Sequence, residues 1–272
     1  MANWKYGTGD SYATLSGFTF PADQHPDNFS AEKTKAVDST PHYLRESIIL
    51  LDKGLKEARL VLDGKFLGSS AETNLRAFQK QSDNNQIYFN SDGWEEKNMY
   101  FEQRLYISDS RFYYVSTGDV QEIREGRKPG ARPYKATFLM VDQFLYDDTA
   151  DEDTVSGSSG TTSSLDAGGD FYNLPEFEFE VTSGTLTKIE ITCNKSSGTI
   201  VVPCNVASGE TLKIRLRRGV AQEYDSSGDL KGPAKGISGR IALRETETGI
   251  TFSFTATGGS GNFTASVRPR YS

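Results

Sequence analysis

The sequence contains few residues of the types that build catalytic centres or disulfide frameworks. Its 272 residues include two cysteines, Cys193 and Cys204, and two histidines, His25 and His42. Two cysteines do not make a disulfide framework in a chain of this length. A hairpin that turned at residues 193–198 would not place Cys193 opposite Cys204. We therefore expect two buried free thiols.

Long apolar runs and an excess of positive charge are also absent. The longest apolar run, Ile48 to Leu51, is far too short to span a membrane. The start Met1-Ala-Asn-Trp lacks the basic and apolar regions of a signal peptide, so we expect synthesis in a cytoplasm. The formal net charge of −7 argues against nucleic acid as a main partner.

Familiar catalytic and nucleotide-binding motifs are missing. The sequence has no Gly-x-Ser-x-Gly elbow, P-loop or Gly-x-Gly-x-x-Gly turn, and each histidine lies beside a proline in an irregular segment. A Cys/His metal site would need more of these residues at closer spacing. We predict no catalytic, cofactor-binding or metal-binding residue, no cofactor, and a protein that is not an enzyme.

Two acidic groups allow functional alternatives. Carboxylates at 147–153 could bind a hard cation such as calcium, but EF-hand spacing is absent and a solvated acidic linker is the simpler interpretation. Glu95 and Glu96 could suggest a glycosidase pair, but adjacent strand residues point to opposite faces, which favours a hairpin tip.

Basic and aromatic residues offer weaker signals. We expect the basic residues to form salt bridges with an acidic neighbouring subunit rather than to bind nucleic acid. Exposed tyrosines would suit either a sugar or protein contact surface or cross-strand aromatic pairs. These residues are Arg124, Arg127, Lys128, Arg132, Lys135, Arg215, Arg217 and Arg218, and Tyr100, Tyr106 and Tyr113.

One stretch, Glu57–Phe89, predicts a strand, a turn, a short helix near 69–83 and a second strand. Ser69 and Glu72 have the spacing of a capping box. Ala71, Leu75 and Phe78 follow at i, i+4 and i+7, which makes one narrow apolar stripe. Such a helix is not stable alone, so we expect it to lie on a sheet.

Strands with period-2 alternation dominate the rest of the first half, residues 1–147. Tyr134–Tyr146 is apolar on both faces and predicts a central strand covered on both sides. Residues 21–46 have no sustained period, and we consider either an arm that packs on a neighbouring subunit or a solvated surface loop.

A change of composition marks the predicted domain boundary. Residues 148–170 are acidic and then rich in Ser, Gly and Thr, which predicts a linker. Seven short alternating strands in 171–272 are typical of a β-sandwich. The predicted fold class is therefore mainly β: an N-terminal β-sandwich-like domain at 1–147 with one short α-helix, the linker, and a C-terminal β-sandwich.

The order of these parts resembles the distal tail proteins of siphophages, and the resemblance implies that residues 1–147 form the β-sandwich-like belt domain of that family. The similar segments run from Arg45 to Phe89, through MYFEQRLYI, to ATFLMVDQFLYDD, where Phe138 to Phe144 fits a closing Phe-x-x-x-Asp-x-Phe/Pro pattern. In the second half, ITCNKSSGTIVV and GETLKIRL are similar to hairpin segments of that family's galectin-like appendage.

The resemblance implies a structural role at a virion tail tip. It predicts a homohexameric ring that joins the tail tube protein to the baseplate hub protein, with support for host attachment through receptor-binding proteins or host glycans. It implies no catalytic residue; the net charge and the short apolar runs predict neither nucleic acid nor a membrane as partner. The alternative is a carbohydrate- or surface-binding β-sandwich module; a glycosidase with a β-sandwich accessory domain is the third hypothesis.

Overall fold

The computed structural model describes two compact units, Met1–Phe144 and Leu145–Ser272. The described residues are 5–8, 18–21, 24, 26–32, 35–42, 47–55, 58–83, 89–90, 93–94, 103–107, 110–123, 128–217 and 219–271. Within these residues the chain is mainly β with one α-helix, which confirms the predicted fold class.

The first unit is built on one seven-stranded run of sheet. Its order is β2-β1-β9-β10-β11-β6-β3, while β4 pairs with β5 and β7 with β8 in two-stranded sheets. The elements are β1 (Lys5–Thr8), β2 (Phe18–Thr19), β3 (Asn28–Glu32), β4 (Lys35–His42), β5 (Ser47–Leu55), β6 (Ala58–Leu67), α1 (Ala71–Asp83), β7 (Phe89–Asn90), β8 (Gly93–Trp94), β9 (Gln103–Tyr106), β10 (Arg111–Glu122) and β11 (Ala131–Asp147), the last of which continues into the second unit.

The helix α1 lies on the sheet through the predicted stripe. Ala71, Leu75 and Phe78 are buried, and the Phe78 ring has no exposed surface. Rings from β2, β6, β11 and the residue after β2 surround it, with centroids 5.0 to 6.4 Å away. These rings are Phe18, Phe20, Phe66, Tyr134 and Phe138. Because β2 and β6 lie far apart in the strand order, their shared contact with Phe78 shows that the sheet curls around the helix.

A glycine in β6 makes room for one of these rings. Gly64 lies directly opposite Tyr134 of β11. A Cβ atom at Gly64 would stand 2.5 Å from the Tyr134 hydroxyl oxygen and 2.8 Å from its Cζ. The buried ring therefore covers the glycine, as aromatic residues do across a strand pair.

The start of the helix differs from the predicted capping box. The helix begins at Ala71, and the Asn74 amide donates to the Ser70 carbonyl, so Ser70 is the N-cap residue. Ser69 stands one residue too early for that role. The Glu72 carboxylate instead accepts hydrogen bonds from Arg132 (Nε, 2.6 Å) and Arg76 (2.9 Å).

The central strand is covered on one face and only partly on the other. In β11, Tyr134, Ala136 and Phe138 are buried beneath the helix. Thr137 and Leu139, on the opposite face, are half-buried. One face of β11 is therefore covered as predicted, while the opposite face is only partly covered in the single chain.

Two irregular segments of the prediction contain strands. Residues 28–32 and 35–42 are β3 and β4, so the segment 21–46 contains regular strands and is not simply a surface loop. Residues 116–133 are rich in Gly and Pro, a composition that predicts a loop, but strand β10 extends into them as far as Glu122.

The second unit is a sandwich made by two long, bent strands. Its elements are β12 (Asp151–Gly157), β13 (Ser159–Thr161), β14 (Glu176–Cys193), β15 (Ser196–Ala207), β16 (Thr211–Arg215), β17 (Val220–Tyr224), β18 (Leu230–Pro233), β19 (Phe252–Val267) and β20 (Arg270–Tyr271). Strands β14 and β19 pair along both of their halves, with register shifts near Gly184 and Gly258. Both glycines have positive φ, 74° and 89°, which a bend at these points requires.

The two halves face each other across one core. The first half of β14 pairs with β16 and the second half pairs with β15. Phe177 and Phe179, in the first half, contact Phe252 and Phe254, which pair with the second half, at centroid distances of 5.0 and 5.7 Å. These contacts join the two layers, as in a β-sandwich.

The segment predicted as a linker belongs to this sandwich. Strands β12 and β13, within residues 148–170, pair with β19, and Leu165 and Ala167 are buried in the core. The linker prediction is wrong because short polar residues also suit an edge strand whose outer face meets water. The division between the units falls after Phe144, three residues before the predicted one.

Candidate functional site

Carboxylates of the acidic segment 147–153 accept hydrogen bonds from backbone amides of the same unit. The Asp151 carboxylate accepts from the Asp166 amide and the Asp153 carboxylate from the Ser163 amide, both at 2.7 Å. The hydrogen bond from the Ser163 backbone amide holds the pKa of the Asp153 carboxyl below its ordinary value. Within the described ranges, no group of three or more His, Cys, Asp or Glu side chains is arranged to hold a metal ion.

Several predicted candidates lie outside the described residues. These are His25, Glu95, Glu96, Tyr100, Arg124, Arg127 and Arg218, together with the side chain of His42. Tyr106 lies opposite Phe112 with ring centres 5.3 Å apart, which favours the aromatic-pair interpretation for this tyrosine. Tyr113 is buried and lies opposite Leu105, so it is not an exposed contact residue of the single chain. In the described part of the chain, no helix has the length and apolar character needed to cross a membrane.

Three of the described basic candidates, Arg132, Arg215 and Arg217, contact carboxylates or amides of their own chain, whereas Lys128 and Lys135 are exposed. Arg132 lies between Glu72 (2.6 Å) and Glu122 (3.6 Å). This network joins the first turn of the helix to β10 and β11. Hydrogen bonds from Arg132, and next from Arg76, hold the pKa of Glu72 below its ordinary value. Arg132 therefore has its carboxylate partners within its own chain, and its charge does not require the expected salt bridge to a neighbouring subunit.

Basic residues of the second unit also contact side chains of their own chain. Arg215 is buried and donates to the Gln222 side chain at 3.1 Å. Arg217 pairs with Glu176 at 3.6 Å, and its guanidinium lies 5.9 Å from the centre of the Tyr146 ring. Together these contacts connect β14, β16 and the beginning of the unit.

Both cysteines are free and buried, as predicted. Burial raises the pKa of the Cys193 thiol, and it raises that of Cys204 to about 12. A thiol with a raised pKa carries little thiolate at neutral pH, so neither is an activated nucleophile.

A buried arginine of the second unit lies among three aromatic rings. Arg270 is only 4% exposed, and its guanidinium lies 5.0, 5.7 and 5.8 Å from the ring centres of Tyr172, Phe171 and Tyr146. The sequence did not predict this cluster, because neither spacing nor periodicity links Arg270 to Phe171 and Tyr172.

A row of hydroxyl groups crosses the outer face of the sandwich. Thr161, Ser253, Thr192 and Thr199 lie opposite one another on four neighbouring strands. The three threonines are exposed, and the hydroxyls of Thr161 and Ser253 are hydrogen-bonded at 2.8 Å. Such a neutral face can offer hydrogen bonds to an uncharged polar ligand.

Two exposed apolar side chains lie at one end of the first sheet. Leu67 is 42% exposed and Ile123 is 38% exposed. Leu67 lies opposite Ala131 of β11, and the Ile123 amide donates to the carbonyl of Pro133, two residues further along the same strand. We name these four residues the β11 edge patch.

Sequence comparisons find no relative: no protein-family model and no curated protein matches the chain. Solved structures are similar. A chain of the phage P2 baseplate, in its activated conformation with Ca, is 9% identical, with a TM-score of 0.52 over 99% of this chain and 98% of that chain. The SPP1 Dit (gp 19.1) protein, called a paradigm of hub adsorption apparatus in Gram-positive infecting phages, is 14% identical, with a TM-score of 0.48 over 99% of each chain.

The likeness to the P2 baseplate chain shows a shared fold along almost the whole of both chains. The predicted resemblance to phage tail-tip proteins is thereby confirmed for the fold.

Proposed function

We propose that this protein is a structural component of a phage tail tip, a distal tail protein that forms a ring between the tail tube protein and the baseplate hub protein. The observation that carries the proposal is the fold shared with a phage baseplate chain over 99% of this chain. Such a protein is located in the virion and acts by assembly, without catalysis or a cofactor.

The chemistry of the described side chains supports an assembly role. The buried arginines contact side chains and carbonyls of their own unit, and the two thiols are held protonated. Each of these groups stabilises packing, which is what a scaffold needs from a buried polar residue.

The β11 edge patch is the surface that we propose to meet the next copy in the ring. Contact between two different patches on neighbouring copies is heterologous, and it closes a ring when the rotation between copies closes. Exposed leucine and isoleucine side chains at one end of a sheet suit such a contact because their burial removes apolar surface from water.

Negative-stain imaging and light scattering on the purified chain test the proposal. Six copies of a 30.0 kDa chain would give particles of about 180 kDa with six-fold symmetry. Scattered monomers at micromolar concentration, also in the presence of a tail tube protein, would contradict it.

A double variant, Leu67→Asp with Ile123→Asp, tests the patch. We expect folded monomers, because charges on an exposed surface prevent its burial but leave the core intact. Lys80→Ala, an exposed change on the helix, is the matched control and should leave the ring unchanged. A double variant that still forms rings would refute the patch but not the ring.

The carbohydrate-binding alternative draws support from the hydroxyl row. Thr161, Thr192 and Thr199 are exposed and neutral, so they could donate to and accept from a host glycan. A glycan array with the full chain tests this function, with Thr192→Val as the variant that should lose binding. Equal binding by the variant and the wild type would place any glycan elsewhere.

A further inference from the structure

The last residues of the chain return to the first residues of the second unit. In β20, Arg270 lies opposite Tyr146 and Tyr271 lies opposite Leu145. The Asp147 amide donates to the Pro269 carbonyl at 3.2 Å. The two ends of the unit are therefore paired as antiparallel strands.

Side chains strengthen this pairing. The Tyr271 hydroxyl donates to the Asp147 carboxylate at 2.7 Å. Arg268 donates from Nη1 to the Asp147 carbonyl at 2.8 Å and also to the Asp148 carbonyl. Hydrogen bonds with a charged partner are stronger than neutral ones, so these contacts add to the backbone pairing.

The same terminal segment also holds a third stretch of chain. The Arg270 carbonyl accepts from the amides of Asp170 and Phe171 at 3.0 and 3.2 Å. Its guanidinium donates to the Tyr172 carbonyl at 3.4 Å and faces the rings of Tyr146, Phe171 and Tyr172. One arginine thus touches both the start of the unit and the segment that leads into β14.

We propose that Arg268–Tyr271 is a C-terminal clasp, a strap that closes the second unit by holding 145–148 and 169–172 together. Short elements open more readily than long ones, and here the tie is one two-residue strand with its side chains. The clasp is a local element that opens without unfolding of the β14–β19 core. Release of Arg268–Tyr271 therefore frees residues 145–148 and 169–172.

Hydrogen exchange followed by mass spectrometry on the full chain tests the clasp. Arg270→Ala should speed exchange about 10-fold or more in peptides covering 145–150 and 168–173, because local opening exposes their amides. Peptides covering 177–181 and 261–267 should exchange as in the wild type. Arg240→Ala, an exposed arginine of the same unit, is the matched control and should change nothing.

A milder variant separates the two contacts of the clasp. Tyr271→Phe removes the hydroxyl that bonds Asp147, so faster exchange should be confined to 145–150 and should spare 168–173. This variant also carries the test if Arg270→Ala does not fold. Unchanged exchange at 145–150 in Tyr271→Phe, or an equal rise in the core peptides with Arg270→Ala, would overturn the proposal.

Discussion

Replacement of Phe78 by alanine measures how much the helix contributes to the first unit. The side chain is fully buried and faces five other rings, from Phe18, Phe20, Phe66, Tyr134 and Phe138. Burial of an aromatic side chain removes about 150–250 Å² from water, which is worth about 4–6 kcal/mol at ~25 cal/mol per Å². Phe→Ala changes in cores cost about 3–5 kcal/mol. Alanine keeps part of the buried surface, which lowers the cost, while the cavity left behind adds to it.

We therefore expect Phe78→Ala to lower the free energy of unfolding of the first unit by about 3–5 kcal/mol. Domains are stable by only about 5–15 kcal/mol, so the variant should remain folded but close to its limit. With a urea dependence of about 1–3 kcal/mol per molar, the unfolding midpoint should fall by more than about 1 M. Phe78→Asp and Leu75→Asp should abolish folding of the first unit, because each buries a carboxylate without a partner.

Equilibrium urea unfolding followed by circular dichroism measures the change, and pulsed hydrogen exchange assigns each transition to its unit. The transition of the second unit should not move. Lys80→Ala, on the exposed side of the same helix, should change stability by less than about 0.5 kcal/mol. A loss below about 1 kcal/mol for Phe78→Ala would refute the packing of the helix on the sheet.

Three further outcomes follow from single contacts. Gly64→Val should destabilise the first unit by about 1–3 kcal/mol in urea unfolding, because its side chain would overlap the Tyr134 ring; an unchanged midpoint would contradict the close approach. Glu72 has a lowered pKa, so its contribution to stability is present above the pKa of the unfolded chain and is lost as pH falls through the folded pKa. Glu72→Gln should therefore reduce the acid-dependent loss of stability between neutral pH and pH 3, with Arg132→Ala giving the same effect if their hydrogen bond is the cause. Cys204, whose burial raises its thiol pKa to about 12, should react with a disulfide reagent at neutral pH only at the rate of unfolding; rapid reaction of the native chain would contradict its burial.

The helix was predictable because its signals are local. Ala71, Leu75 and Phe78 show the i, i+4, i+7 spacing, and all three are buried in the structure. The buried residues at its last turn, Gln81 and Ser82, were missed because both are polar. The Gln79 side chain donates to the Val120 carbonyl of β10, a contact that only the folded sheet provides.

Residues 148–170, predicted as a linker from their composition, show that a polar sequence can also form edge strands. Residues 151–161 are polar because the outer faces of β12 and β13 meet water, and their pairing with β19 depends on backbone hydrogen bonds. Thr154 pairs with Thr264 through their hydroxyls at 2.8 Å. Such partners lie about a hundred positions apart in the sequence, so no local pattern reveals them. The C-terminal clasp was missed for the same reason.

The contrast between the sequence and structure comparisons has a physical explanation. No family model matches the chain, yet its fold is similar to that of a baseplate chain at 9% identity over 99% of its length. A sandwich needs alternation, suitable core volume and glycines at bends such as Gly184 and Gly258, and cores tolerate exchange of one apolar residue for another when volume is kept. The outer faces are free to change further, since they require only polarity. The fold depends on backbone geometry and core volume rather than on any motif, so the proposed assembly role is tested through ring formation and the β11 edge patch.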